Sequence, residues 1–183
     1  MAGLSGIEIG VVMGVGALRK RLWNHYNSHI IDKLATLLAT IMIDPLPQRI
    51  DIQGDWPSDL AAADVGIIII DHGSRREESN QYVITVARDF QESEGYRIVE
   101  PAHMELAQPD LAAAYDKCVS HGAKYIIVQP YFLAPGRHWH EHIPELAAAA
   151  AANHPHTSCV VTAPLGIHSA MLQIIADRID QSL

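Results

Sequence analysis

The sequence predicts an α/β fold: an open parallel sheet of about four strands with flanking helices, preceded by an N-terminal helical extension. Three observations carry this reading. Gly66-Ile67-Ile68-Ile69-Ile70-Asp71 is a continuous β-branched run, suited to a strand buried on both faces of a parallel sheet. From there to the end, short strand-like runs alternate with apolar stripes at helical spacing, as repeated strand–helix units with right-handed crossovers require. Before residue 64 the pattern differs, with Leu22, Tyr26, Ile30, Leu34, Leu37 and Ile41 recurring every three or four residues, one stripe of a single long helix.

Taken in order, residues 1–63 form the extension and residues 64–183 the α/β domain. The extension's helix runs from about Arg21 to Ile41 and stops at Asp44-Pro45-Leu46-Pro47, because proline cannot donate to the helix ladder and restricts its predecessor. Its stripe needs covering, either by the second region or by another copy of the chain. Residues 48–63, with Gly54, Trp56 and Pro57, read as a linker. In the domain, the isoleucine strand leads to a helix over residues 77 to about 94, striped by Val83, Val86 and Phe90. Tyr96 to about Pro101 is the second strand. Pro109 opens a helix whose buried face carries Leu111, Tyr115, Cys118 and Val119, and Gly122 stops it, proline suiting a first turn whose N–H has no partner. Lys124 to Pro130 is the third strand, Pro144 opens an alanine-rich helix ending near Asn153, Ser158 to Ala163 is the fourth strand, and Met171, Leu172, Ile175 and Ile179 stripe a final helix.

Composition narrows the function. At 183 residues the chain holds about one domain and needs no disulfide or metal staple to fold. A net charge of −8 argues against a nucleic-acid partner, which needs a basic stripe. Cys118 and Cys159 are the two cysteines, without CxxC spacing, so they read as packed thiols rather than metal ligands. The apolar stretch Ile9 to Leu18 is ten residues, against about 20 for a membrane span. Arg19, Lys20 and Arg21 follow it rather than precede it, unlike an export signal. A cytoplasmic protein without a membrane span is expected.

Histidine is the unusual residue, at 11 of 183. In an open α/β sheet ligands bind beyond the carboxyl ends of the strands, and each of the four expected strands is followed there by a histidine: His72, His103, His138 and His168. Imidazole is neutral near pH 7 and can hold a divalent metal or take a proton; a carboxylate among imidazoles adds a hard oxygen ligand. His72, Glu105 and His138 recur 33 residues apart, about one strand–helix unit, which predicts equivalent positions on three successive units. Gly73 and Gly136 lie beside the two histidines and allow sharp turns and close approach of a ligand. Arg75, Arg76 and Arg137 sit at the same edge. In an acidic chain they suggest an anionic substrate, since the guanidinium fork suits carboxylate or phosphate. His140 and His142 are further candidate ligands on a solvent-facing loop.

Four segments, Asp71-His72-Gly73-Ser74-Arg75, Glu100 to Ala107, Phe132 to Trp139 with Ile143-Pro144, and Thr162 to Gly166 with His168, give the chain a family resemblance over about residues 65–183. It resembles the small sirohydrochlorin chelatases, which include the cobaltochelatases and the ferrochelatase of sirohaem synthesis. The wording is closest to the plant-type ferrochelatase, although the cysteine motif that plant-type enzymes carry at the C-terminus for an iron–sulfur cluster is missing after Cys159. The resemblance implies a lyase that inserts a divalent metal, Fe2+ first and Co2+ next, into sirohydrochlorin with release of two protons, in sirohaem or cobalamin synthesis. It implies metal binding by His72 and His138, a second role for His72 as the base that accepts a pyrrole proton, and metal or substrate binding by Glu105. Leu133, Ala134, Pro135, Gly136 and Arg137 would line the substrate, a polycarboxylate that gives Arg75, Arg76 and Arg137 their partners. No tightly bound cofactor is implied, the metal being a substrate, and short members form their cleft between two copies, so a homodimer is expected.

Two other readings stay open on the residues alone. A non-catalytic metal carrier would use the same histidines without binding a tetrapyrrole. A hydrolase or phosphotransferase would use His72 as nucleophile or base, although no glycine-rich phosphate loop occurs in the sequence.

Overall fold

The computed structural model describes residues 49–183. The expected helix from about Arg21 to Ile41, its apolar stripe and its proline stop lie outside the described residues. Five strands, β1 (Arg49–Gln53), β2 (Val65–Asp71), β3 (Ile98–His103), β4 (Tyr125–Pro130) and β5 (Ser158–Thr162), form one sheet in the order β1-β5-β4-β2-β3. The helices are α1 (Glu77–Glu94), α2 (Leu111–Ser120), α3 (Ile143–Ala151) and α4 (Ser169–Asp180), with a π-helical turn at His138–His142.

The four expected strands are present and pair in parallel. The fifth, β1, pairs antiparallel to β5 and lies in the segment read as a linker, which corrects that reading for residues 49–53. Its Ile50 and Ile52 pack against the main core, while Arg49 and Asp51 face out and pair with each other at 2.9 Å. Pro47, Gly54 and Pro57 flank this short alternation and mask it in the sequence.

Strand β2 divides the core as a two-residue period demands. Ile68 and Ile70 join Leu111, Tyr115, Ile126, Trp139, Ile143 and Val161 on one face, and Val65, Ile67 and Ile69 join Val83, Ala87 and Val99 on the other. Each fully buried aliphatic side chain contributes about 1.5–3 kcal/mol. Cys118 and Cys159 are buried in the first cluster, and burial pushes both thiols up to about 12, so neither is available as a thiolate.

Element boundaries follow local chemistry. Helix α1 ends on Gly95, whose φ of 73° supplies the left-handed cap. Helix α2 is opened by Asp110, whose carboxylate accepts the Ala113 N–H at 2.8 Å, rather than by Pro109. Strand β3 continues through Pro101 to His103, two residues beyond the expected end. It tolerates proline because it is an edge strand among the described residues, with β2 as its neighbouring strand. Helix α3 carries Pro144 in its first turn, as expected. Helix α4 forms where the last stripe lies, yet none of its residues is buried, with Leu172 60%, Ile175 55% and Ile179 55% exposed.

Candidate functional site

Register aligns the carboxyl ends of the strands: Asp71 opposite His103, and Ile70 opposite both Ala102 and Pro130. His72 leaves β2 directly. Its loop is locked by the neighbouring one, with Met104 N–H donating to Asp71 O at 2.8 Å and Glu105 N–H to His72 O at 3.1 Å. The Asp71 carboxylate accepts the Gly73 N–H at 2.9 Å and lies 2.6 Å from Nδ1 of His103, a fully buried imidazole. The His103 Nδ1–H donates to Asp71, and its buried Nε2 has no partner among the described residues. Gly73 has φ 78°, and a Cβ there would collide with the Glu105 carbonyl oxygen. Buried Asn80 clamps the loop further on, accepting from Ser74 N–H at 2.9 Å and donating to Ser74 O at 3.0 Å.

The second histidine reaches the site differently. His138 lies eight residues past β4, whereas His72 and Glu105 lie one and two residues past β2 and β3. The equal sequence spacing therefore does not give equivalent positions, because the loop Tyr131–Arg137 is long and ends in the π-helical turn. That loop is tied down at three points: Tyr131 N–H to Ile70 O at 2.7 Å, Leu165 N–H to Phe132 O at 2.9 Å, and the indole N–H of fully buried Trp139 to Thr162 O at 2.8 Å.

The two routes bring His72 and His138 together, ring centroids 4.7 Å apart and nearly perpendicular, with His72 stacked on Phe132 at 4.2 Å. They open on a cavity of about 360 Å3 whose wall also includes Tyr131, Leu133, Ala134, Gly136 and Trp139. Partial burial, then the His138 charge, hold the His72 imidazole below its usual pKa of 6.5, against the opposing pull of Asp71 and Glu105. It is thus neutral near pH 7, with a lone pair for a metal or a proton.

Glu105 is exposed and reaches His72 through its backbone bond and its charge. Among the described residues no three His, Cys, Asp or Glu side chains are gathered closely enough to hold a metal; what the structure gathers is the imidazole pair. Arg75, Arg76, Pro135 and Arg137 are exposed and lie outside the cavity wall. Arg137 is engaged by Glu141 at 3.4 Å. Of the other strand-end histidines, His103 is the buried partner of Asp71 and His168 caps α4, its Nδ1 accepting the Ala170 N–H at 3.2 Å. Asn80, and the supporting roles of Asp71, Phe132 and Trp139, are not evident from the sequence motifs; a carboxylate directly before a strand-end histidine is the one readable signal among them.

A model of the CbiX family matches residues 66–182. The chain is 52% identical over 118 residues to the chloroplastic sirohydrochlorin ferrochelatase of Arabidopsis thaliana, covering 64% of this chain and 52% of that protein. It is 31% identical to a sirohydrochlorin cobaltochelatase of Priestia megaterium, covering 63% and 38%. The cobalt complex of the sirohydrochlorin chelatase SirB from Bacillus subtilis subspecies spizizenii has a similar structure, with TM-score 0.62 at 25% identity over 64% of this chain and 50% of that one. So has the CbiX protein from Marinobacter aquaeolei VT8, with TM-score 0.56 at 26% identity over 64% and 96%. The chain spans about half the length of the curated relatives it matches. With the family's segment covering both histidine loops and all four parallel strands, this chain belongs to the CbiX family.

Proposed function

We propose that the chain is a sirohydrochlorin chelatase, a lyase that inserts Fe2+ or Co2+ into sirohydrochlorin and releases two protons. The observation that carries the proposal is the pair of facing imidazoles, His72 and His138, over an open cavity walled by Phe132 and Trp139. Insertion needs a metal held close to the ring and loosely enough to leave, which favours few protein ligands and open coordination positions. It also needs acceptors for the two pyrrole protons. One imidazole nitrogen cannot hold a metal and a proton at once, so the roles follow in turn: His72 gives up the metal to the macrocycle and is then free to take one proton, the other passing to solvent water through the open cavity.

Glu105, with its backbone bound to His72, adds negative charge on the metal's path, and metal or substrate binding is its role in the proposal. Leu133, Ala134 and Gly136, in the cavity wall, line the ring, with Pro135 and Arg137 beside them on the same loop, and Arg75 and Arg76 join Arg137 as partners for the substrate carboxylates. The metal is a substrate, and no tightly bound cofactor enters the scheme. Residues 64–183 are assigned as the chelatase domain, with residues 1–63 as an extension whose strand β1 completes the sheet.

A flat macrocycle needs two walls, and this chain corresponds to half of the solved SirB chain. A homodimer supplies the second wall, and the exposed stripe of α4 offers apolar surface for a second copy to cover. A dimer by light scattering is expected; a monomer active in insertion would overturn this part. Among the described residues no helix is long and apolar enough to cross a membrane. The cytoplasm is the proposed compartment, which cell fractionation tests, given that the Arabidopsis relative is named as chloroplastic.

The functional test is anaerobic incubation of the full chain with sirohydrochlorin and Fe2+ or Co2+ side by side, followed by absorbance. Conversion to the metallated spectrum is expected. Metal binding without any spectral change in sirohydrochlorin would make the chain a carrier instead.

A further inference from the structure

His142 stands outside the proposed metal-holding pair. It closes the π-helical turn four residues after His138, a spacing that sets two side chains on one side of a helical turn. Its Nδ1 lies 2.9 Å from Nδ1 of His138, with ring centroids 4.9 Å apart. His142 is half-buried, and the Arg137 guanidinium lies 3.5 Å from its Nε2.

Two neutral imidazole nitrogens at 2.9 Å share one proton. If His142 donates, His138 carries its own proton on Nε2 and has no lone pair left for a metal. If His138 donates, its Nε2 is free. The Arg137 Nη2 approaches Nε2 of His142 only at 3.5 Å, the limit of a hydrogen bond, so it holds the lone pair there weakly and leaves that nitrogen able to carry the proton. We propose that His142 is a positioning residue: it accepts the Nδ1–H of His138, fixes the ring's orientation and tautomer, and so presents the His138 Nε2 lone pair to the metal. Metal-binding histidines are oriented this way by a hydrogen bond from their second nitrogen. The unusual feature is that the partner is another imidazole supplied by the same turn, whose wide i→i+5 closure, Ile143 N–H to His138 O, precedes a regular helix. The proposal rests on the reading of His138 as a metal-binding residue.

The test uses the full chain and Co2+ alone. Nitrogen-15 NMR of the metal-free protein assigns the His138 proton, and calorimetry gives Co2+ affinity for wild type, His138→Ala, His142→Leu and His142→Asn. Expected are a proton on Nδ1 of His138, a roughly 10–100-fold weaker affinity in His142→Leu, and recovery of most of it in His142→Asn, whose carboxamide oxygen can accept the same N–H. A His138 proton on Nε2 in the wild type overturns the proposal, and that readout stands even if His142→Leu fails to fold. So does an Asn variant as weak as the Leu variant, which would make His142 itself a ligand. Wild-type affinity in His142→Leu alongside loss in His138→Ala removes His142 but leaves His138 in place. Unchanged affinity in His138→Ala sinks the underlying reading instead.

Discussion

The loops that carry His72 and His138 do the same job by different means. The His72 loop is short and locked onto its neighbour through backbone: the Asp71 and His72 carbonyls accept from the Met104 and Glu105 N–H groups, and Gly73 fits because no side chain separates it from Glu105. The His138 loop is long and held by two backbone bonds together with side chains, with Trp139 anchoring it to β5 and His142 within hydrogen-bond distance of the imidazole itself. The difference teaches where each histidine is vulnerable. His72 depends on a backbone conformation that few residues can adopt, and His138 depends on packing and one ring-to-ring hydrogen bond.

The largest break in the comparison is expected from Trp139→Ala. It removes a fully buried aromatic ring and the indole bond to Thr162, a change that costs about 3–5 kcal/mol. Urea denaturation should show a correspondingly lower midpoint, and metal binding by the remaining folded protein should fall with it. A loss below about 1 kcal/mol would mean the loop is not anchored there.

Gly73→Ala is next. Left-handed backbone costs a side-chain-bearing residue about 1–2 kcal/mol, and the new methyl meets a backbone carbonyl that cannot rotate away. A destabilisation of about 2 kcal/mol or more is expected by the same measurement, with Co2+ affinity reduced even at temperatures where the variant is folded. Gly136→Ala provides the control from the other loop: among the described residues nothing lies within 4 Å of a Cβ placed there, so its stability should stay within about 0.5 kcal/mol of wild type.

Smaller effects come from the rim. Replacing Arg75 or Arg76 should raise KM for sirohydrochlorin a few-fold with little change in kcat, as removal of uniform binding does, and added salt should shrink the difference. Arg137→Ala should raise KM less, because Glu141 already shares its charge. Normal KM with lost turnover would place the arginine in the chemistry. The smallest effect is in pH. Because burial and His138 lower the His72 pKa, its imidazole stays neutral as pH falls through 6.5. Co2+ binding should persist there and be lost only at lower pH; a midpoint above 6.5 in a calorimetric series would contradict it.

Much of this arrangement is legible in the sequence. The isoleucine run announced a two-sided strand, and glycine beside a strand-end histidine announced a turn with a lone pair at its tip. What escaped reading has physical reasons. Side chains alternate in direction along a strand, so a histidine at a strand end can face the cavity, as His72 does, or turn into the interior, as His103 does against Asp71. Equal spacing could not reveal that the residues before His138 form a long loop. Strand β1 was hidden because two isoleucines between charged residues are a weak signal beside three prolines and a glycine. The stripe of α4 was legible, but periodicity does not encode what covers it, and among the described residues it is open.

The claim at the centre of this account is that His72 both holds the metal and accepts a pyrrole proton. Anaerobic insertion of Co2+ into sirohydrochlorin, followed by absorbance for wild type and His72→Ala at matched folded concentration, tests it most directly. Insertion below about a tenth of the wild-type rate is expected, with an unchanged circular dichroism spectrum, because the side chain is exposed at a loop edge rather than packed in the core. Retention of more than that tenth, a barrier change under about 1.4 kcal/mol, would contradict it.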